Sequence, residues 1–176
     1  NIIQASFCRL DMILLTFGYL ISSYQHMKTE NSQNIPGCTA IITSVENRWA
    51  KTDQEVFIAA VILNPMYQWS PFHHSHFHSV VAVISLFKRL WARFYNGQEL
   101  PESFHTDIRD YLLKKGQFRD ISKAKRSPDP FLMYQYLGFG TMTESPFTIF
   151  AKHILSITGN SASCERLFSA FGTILT

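Results

Sequence analysis

Glu165 is the residue of this chain whose surroundings are best suited to chemistry. It lies in a stretch where apolar residues recur at i, i+3, i+4 and i+7, which is one face of a helix: Cys164, Leu167, Phe168 and Phe171. At about 100° per residue, Glu165 falls on the shoulder of this stripe and Arg166 points away from it. A carboxylate at the edge of a packed face is held in position and stays reachable by water or a cation. The alternative is that Glu165 only favours the positive end of its helix.

The helix that carries Glu165 is preceded by another apolar helix. Ser145-Pro146 has the residue types of a helix start, and the apolar residues that follow predict a helix to about residue 157: Ile149, Phe150, Ile154, Leu155 and Ile157. Gly159 suits the left-handed position after a helix, and Asn160 or Ser161 can cap the next helix. The sequence therefore predicts a helix, a short turn and a second helix.

The signature segment, which we define as residues 154–169, has a specific order of residue types. Ile154-Leu-Ser-Ile157 is followed by Asn160-Ser-Ala-Ser-Cys-Glu-Arg-Leu-Phe-Ser169. This order resembles the C-terminal signature of hAT-superfamily transposases, in which a Ser/Ala-rich turn leads into Glu-Arg-x-Phe-Ser. The resemblance implies that Glu165 is the last member of an Asp-Asp-Glu metal-binding triad in a ribonuclease H-like fold. It also implies that the surrounding segment is a dimerisation region.

A second stretch, Arg48–Tyr67, resembles the same family. It begins with Arg-Trp, continues as an Ala-containing apolar helix and ends in Asn64-Pro-Met-Tyr67. The helical insertion of hAT transposases often carries Arg/Lys-Trp, an Ala-rich apolar helix and an (Asp/Asn)-Pro-x-(Tyr/Phe) ending. The Asn64-Pro65 step predicts the end of that helix, because a residue before proline disfavours helical backbone. For Trp49 we favour packing against a helix over stacking on a base.

Two-metal phosphoryl transfer needs three or four carboxylates around the cations. Glu165 supplies one, whereas the other candidate acids lie in helical or connecting segments that do not match the family motifs: Asp11, Asp53, Asp107, Asp110, Asp120 and Asp129. The chain begins with Asn1 and stops just after a predicted helix, so we interpret it as a fragment. The resemblance implies Mg²⁺ or Mn²⁺ in a longer parent. We expect no cofactor and no catalysis from this chain alone.

Two other clusters have chemical potential. His73, His74, His76 and His78 suggest a metal site, but no nearby Cys, Asp or Glu completes a ligand shell, so a solvated loop is the preferred interpretation. The basic segment, residues 114–126, carries six of the sixteen Lys and Arg residues: Lys114, Lys115, Arg119, Lys123, Lys125 and Arg126. It is predicted to be an exposed connector, and it is the best candidate here, with Arg166, for contact with nucleic-acid phosphates. A basic face on the helix over residues 80–95 is interpreted as solvated.

Apolar spacing predicts a mainly α chain of about eight helices and no strand. The predicted helices cover residues 2–27, 38–49, 53–63, 80–95, 101–115, 128–137, 146–157 and 161–171, with a polar loop over 28–37 that ends in Pro36-Gly37. The fold class is a helical array whose C-terminal helices resemble the closing part of a ribonuclease H-like transposase core. We assign residues 1–127 to part of the helical insertion and 128–176 to the C-terminal dimerisation region.

Composition excludes several classes of protein. With 46% hydrophobic and 14% aromatic residues, the chain can build a core, so wholesale disorder is excluded. The net charge of +3 is compatible with nucleic acid without requiring it. Cys8, Cys38 and Cys164 form no CxxC pair, which argues against a disulfide framework and for a reducing compartment. The apolar run at residues 12–21 is too short to span a bilayer.

Three functions follow as hypotheses. The first is the C-terminal part of an hAT-like DNA transposase. This part dimerises, the longer parent protein binds DNA in the nucleus, and no membrane is involved. The second is a domesticated, non-catalytic protein-interaction module. The third is a His-dependent metal-binding helical protein.

Overall fold

The computed structural model describes residues 9–30, 34–121, 129–137 and 143–159. These residues are mainly helical, as predicted, and contain no β-strand. They form seven α-helices: α1 (Leu10–Glu30), α2 (Ile35–Trp49), α3 (Gln54–Leu63), α4 (Val80–Phe94), α5 (Glu102–Leu112), α6 (Pro130–Leu137) and α7 (Pro146–Ser156). The eighth predicted helix lies outside the described residues.

The described chain consists of two compact units, and one boundary between them lies inside α3. Residues up to Ile58 and from Gly159 onward belong to the first unit, and Ala59–Thr158 belong to the second. The division at residue 127 that we expect from the family resemblance stays a prediction. None of the described helices is long and apolar enough to cross a membrane.

The first unit is built on the packing of α1 against α2. α2 buries Cys38, Ile41 and Val45, which share one face because they recur at intervals of three and four. In α1 only Leu10 and Asp11 are buried, and the Asp11 carboxylate accepts hydrogen bonds from the Arg9 guanidinium at 3.0 and 3.2 Å. The buried negative charge is thereby compensated.

The predicted loop over residues 28–37 is wrong at both ends. α1 continues to Glu30, and α2 already begins at Ile35, so Pro36 and Gly37 lie in its first turn. Proline is tolerated there because the first N–H groups of a helix have no acceptor within the helix.

An aromatic cluster forms the centre of the second unit. The Phe147 ring of α7 contacts five other rings with centroids 5.3–6.5 Å away: Phe87, Phe104, Tyr111, Phe118 and Tyr134. All six side chains are fully buried. Because these rings come from α4, α5, α6, α7 and the segment after α5, one cluster ties all of them together.

Positive φ angles mark the ends of α4 and α5. Asn96 and Gly97 turn the chain after α4, with φ of 53° and 77°. α5 ends at Leu112 rather than near Lys115, because Lys114 takes a left-handed φ of 54° and the Lys115 N–H donates to the Asp110 carbonyl at 2.7 Å. This bond pattern closes the helix with a residue other than glycine in the left-handed position.

Candidate functional site

The described residues include only part of the predicted site. Lys114, Lys115 and Arg119 are described. The remaining predicted residues lie outside the described part of the chain: Lys123, Lys125, Arg126, Cys164, Glu165, Arg166, Leu167, Phe168 and Phe171. Besides the three described cations, the parts that the structure describes are α7, which precedes Glu165, and the Arg48–Tyr67 stretch.

α7 leads the chain into the signature segment from within the core. Ser145 caps it as predicted, accepting the Thr148 N–H at 3.2 Å, and Pro146 occupies the first turn. Phe150, Ile154 and Leu155 are buried, whereas Ile149 is 44% exposed. The helix ends at Ser156 and Ile157 is extended, so Gly159 does not directly follow the helix as predicted.

The Arg48–Tyr67 stretch ends in a buried turn after α3. Asn64 directs this turn, because its Oδ1 accepts the Met66 N–H at 2.9 Å and its carbonyl accepts the N–H groups of Tyr67 and Gln68. Pro65 has no N–H to continue the helix. An aspartate at position 64 would offer the same acceptor, which gives a physical reason for the Asp/Asn-Pro pattern in such a turn.

This turn leaves the last carbonyls of a buried helix without N–H donors from the helix. The hydroxyls of two tyrosines donate to these carbonyls instead. The Tyr111 hydroxyl donates to the Ile62 carbonyl at 2.9 Å, and the Tyr134 hydroxyl donates to the Leu63 carbonyl at 2.9 Å. All four residues are fully buried. A buried carbonyl without a donor lowers the free energy of unfolding by about 1–3 kcal/mol. The two hydroxyls therefore stabilise the buried end of α3.

Gln68 completes the polar contacts at this end of α3. Its φ is 51°, which is uncommon for a residue other than glycine, and its side chain is nearly buried. Its Nε2 donates to the Tyr111 carbonyl at 2.9 Å, near the C-terminus of α5. Sequence patterns missed Gln68 and both hydroxyl contacts. The one available signal was a proline after an apolar helix combined with tyrosines at inward positions.

Burial raises the pKa of the Tyr111 and Tyr134 hydroxyls well above the ordinary value of 10.0. Desolvation is the main cause for both, since a phenolate in this core would lose its hydration. Contact with Tyr111 raises the pKa of Tyr134 further. Both hydroxyls therefore stay protonated and act as donors.

The sequence predicted that Trp49 packs against a helix and that the basic segment contacts nucleic-acid phosphates. The Trp49 ring meets Phe57 edge-on with centroids 5.7 Å apart and is half-buried, which agrees with packing. Lys114, Lys115 and Arg119 are exposed. The segment is not a wholly exposed connector, however, because Phe118 and Ile121 are buried. These two anchors fix the backbone from which the cations project.

Two further surfaces of the described chain are basic. On α4, Lys88, Arg89 and Arg93 are exposed opposite the buried face, as predicted, and the Arg93 guanidinium lies 5.4 Å from the Phe94 ring centroid. A groove of about 690 Å³ follows one face of α2 and carries two cations and no acid among its described lining residues: Ala40, Thr43, Ser44, Asn47, Arg48 and Lys51. The sequence analysis did not predict this groove.

The histidine cluster forms an ordered series of turns. His73, His74, His76 and His78 are exposed, and the His73 and His74 rings lie 3.6 Å apart. Within the ranges that the structure describes, no group of three or more His, Cys, Asp or Glu residues is arranged to hold a metal ion. The exposure of all four side chains agrees with the interpretation as a solvated loop, and whether the cluster binds a metal stays a prediction.

The half-buried Asp107 carboxyl is the most perturbed of the described acids. Burial raises its pKa and the nearby Asp110 raises it further, against a lowering by the hydrogen bond with Ser145. The Asp107 carboxyl thus lies beside Ser145, the N-cap residue of α7.

The comparisons with known proteins assign no family to this chain. Comparisons with family models, curated proteins and solved structures find no match. The hAT expectation therefore depends on residues 48–67 and 154–169 alone.

Replacement of either capping tyrosine is expected to destabilise the second unit. Tyr111→Phe or Tyr134→Phe keeps the packed ring but leaves one buried carbonyl without a donor, so the free energy of unfolding should fall by about 1–3 kcal/mol. Urea denaturation followed by tryptophan fluorescence measures this. Tyr19→Phe is the control, because Tyr19 is 72% exposed, and it should change stability by less than about 0.5 kcal/mol. Equal effects of all three variants would contradict the capping role.

Alkaline pH should destabilise the fold through the same two hydroxyls. The unfolded chain releases tyrosine protons above about pH 10, whereas the folded chain retains those of Tyr111 and Tyr134. Their contribution is therefore complete below pH 10, and the free energy of unfolding then falls by about 1.4 kcal/mol per pH unit for each tyrosine. Urea titrations from pH 8 to 11 measure this slope.

The Tyr111→Phe/Tyr134→Phe double variant is the control for that slope. It should lose most of the alkaline dependence and retain a smaller part from Tyr95, whose pKa is also raised by burial. Identical slopes for the wild type and the double variant would show that the two hydroxyls titrate alike in the folded and unfolded chains.

Proposed function

We propose that this chain is the C-terminal part of an hAT-like DNA transposase that acts in the nucleus. The order of residues in the signature segment carries the proposal, and the Arg48–Tyr67 stretch, at the expected distance before it, supports it. In this proposal the chain contributes self-association and Glu165, the last carboxylate of an Asp-Asp-Glu triad.

In this proposal, the carboxylates that work with Glu165 come from a longer protein. Three or four carboxylates would hold two divalent cations, Mg²⁺ or Mn²⁺, which would supply polarisation of a phosphate and activation of the attacking oxygen. Among the described residues no acids converge in this way. In the proposed function, Glu165 serves as one ligand and two aspartates of the longer protein complete the set, and we expect no catalysis from this chain alone.

Charge on the described surface supports contact with DNA through phosphates. The basic segment projects Lys114, Lys115 and Arg119 from a backbone fixed by Phe118 and Ile121. The groove along α2 adds Arg48 and Lys51 beside hydroxyl and amide donors. Cations of this kind give affinity without sequence specificity.

The alternative function is a domesticated, non-catalytic interaction module. In that case the chain keeps the helical core and self-association, while Glu165 binds no cation. The two functions differ in whether strand cleavage depends on Glu165, and in whether the longer protein carries two aspartates at strand ends.

Glu165→Gln in the longer protein should abolish metal-dependent strand cleavage, because the amide removes one negative ligand from the cations. DNA cleavage is measured with Mg²⁺ or Mn²⁺, beside DNA binding and the far-UV spectrum, both of which should stay unchanged. Glu46→Gln, an exposed position on α2, is the matched control and should retain activity. Cleavage by the Glu165→Gln protein at the control's rate would refute a catalytic role.

Neutralising the basic segment should weaken DNA binding and its salt dependence. Lys114→Gln/Lys115→Gln/Arg119→Gln should lower the affinity for duplex DNA and reduce the slope of log K against log salt by about 0.9 for each lost phosphate contact. Lys88→Gln/Arg89→Gln/Arg93→Gln removes the same charge from α4 and should have a smaller effect. Equal losses of DNA affinity in the two triple variants would contradict a specific role of the basic segment, because net charge alone would then explain binding.

Self-association should depend on the stripe of the signature segment. Light scattering after size exclusion is expected to give about twice the 20.3 kDa chain mass for the wild type and the chain mass for Phe168→Asp. Val81→Asp, at a position on α4 that is 73% exposed, should remain associated. A monomeric wild type, or a dimer that survives Phe168→Asp, would contradict the proposed interface.

A further inference from the structure

We draw no further inference here: the strongest candidate, the half-exposed apolar face of α1 between Met12 and Tyr24, is a helix face for which nothing in the described part of the chain shows what covers it.

Discussion

The end of α3 inside the core is the constraint on which the second unit depends. A helix that stops at Asn64-Pro65 leaves its last carbonyls unpaired, and here those carbonyls are buried. The hydroxyls of Tyr111 and Tyr134 are the donors that satisfy them. Because one tyrosine belongs to α5 and the other to α6, satisfying α3 fixes three helices at once. The aromatic cluster around Phe147 then adds α4 and α7 to the same core.

This arrangement links the end of the Arg48–Tyr67 stretch to α7, and the proposed function depends on both. The Arg48–Tyr67 stretch ends at the carbonyls that the tyrosines bind, and α7, whose end begins the signature segment, places Phe147 against both tyrosine rings. Residues that are far apart in sequence are thus joined through a few buried contacts. In the proposed function, these contacts give the helix before Glu165 a rigid base.

Much of the fold was predictable from local patterns. The 3.6-residue spacing of Phe104, Ile108, Tyr111 and Leu112 identified the buried face of α5, and Ser145-Pro146 identified the start of α7. Local patterns failed where long-range contacts decide. Phe118 lies in a basic segment yet is buried by rings from α5 and α7. The loop prediction at Pro36-Gly37 was wrong for a local reason, because a proline that is typical of a loop also fits the first turn of a helix. The hydroxyl contacts span 49 and 71 residues, so no local pattern contains them.

Proton NMR of the tyrosine hydroxyls tests the central claim most directly. A buried hydroxyl that donates to a carbonyl exchanges slowly with water, so the hydroxyl protons of Tyr111 and Tyr134 should give separate signals with nuclear Overhauser contacts to Ile62 and Leu63. The exposed hydroxyl of Tyr19 should give none. Exchange of all three hydroxyl protons at the rate of free tyrosine would contradict the account, because the carbonyls that end α3 would then lack their donors.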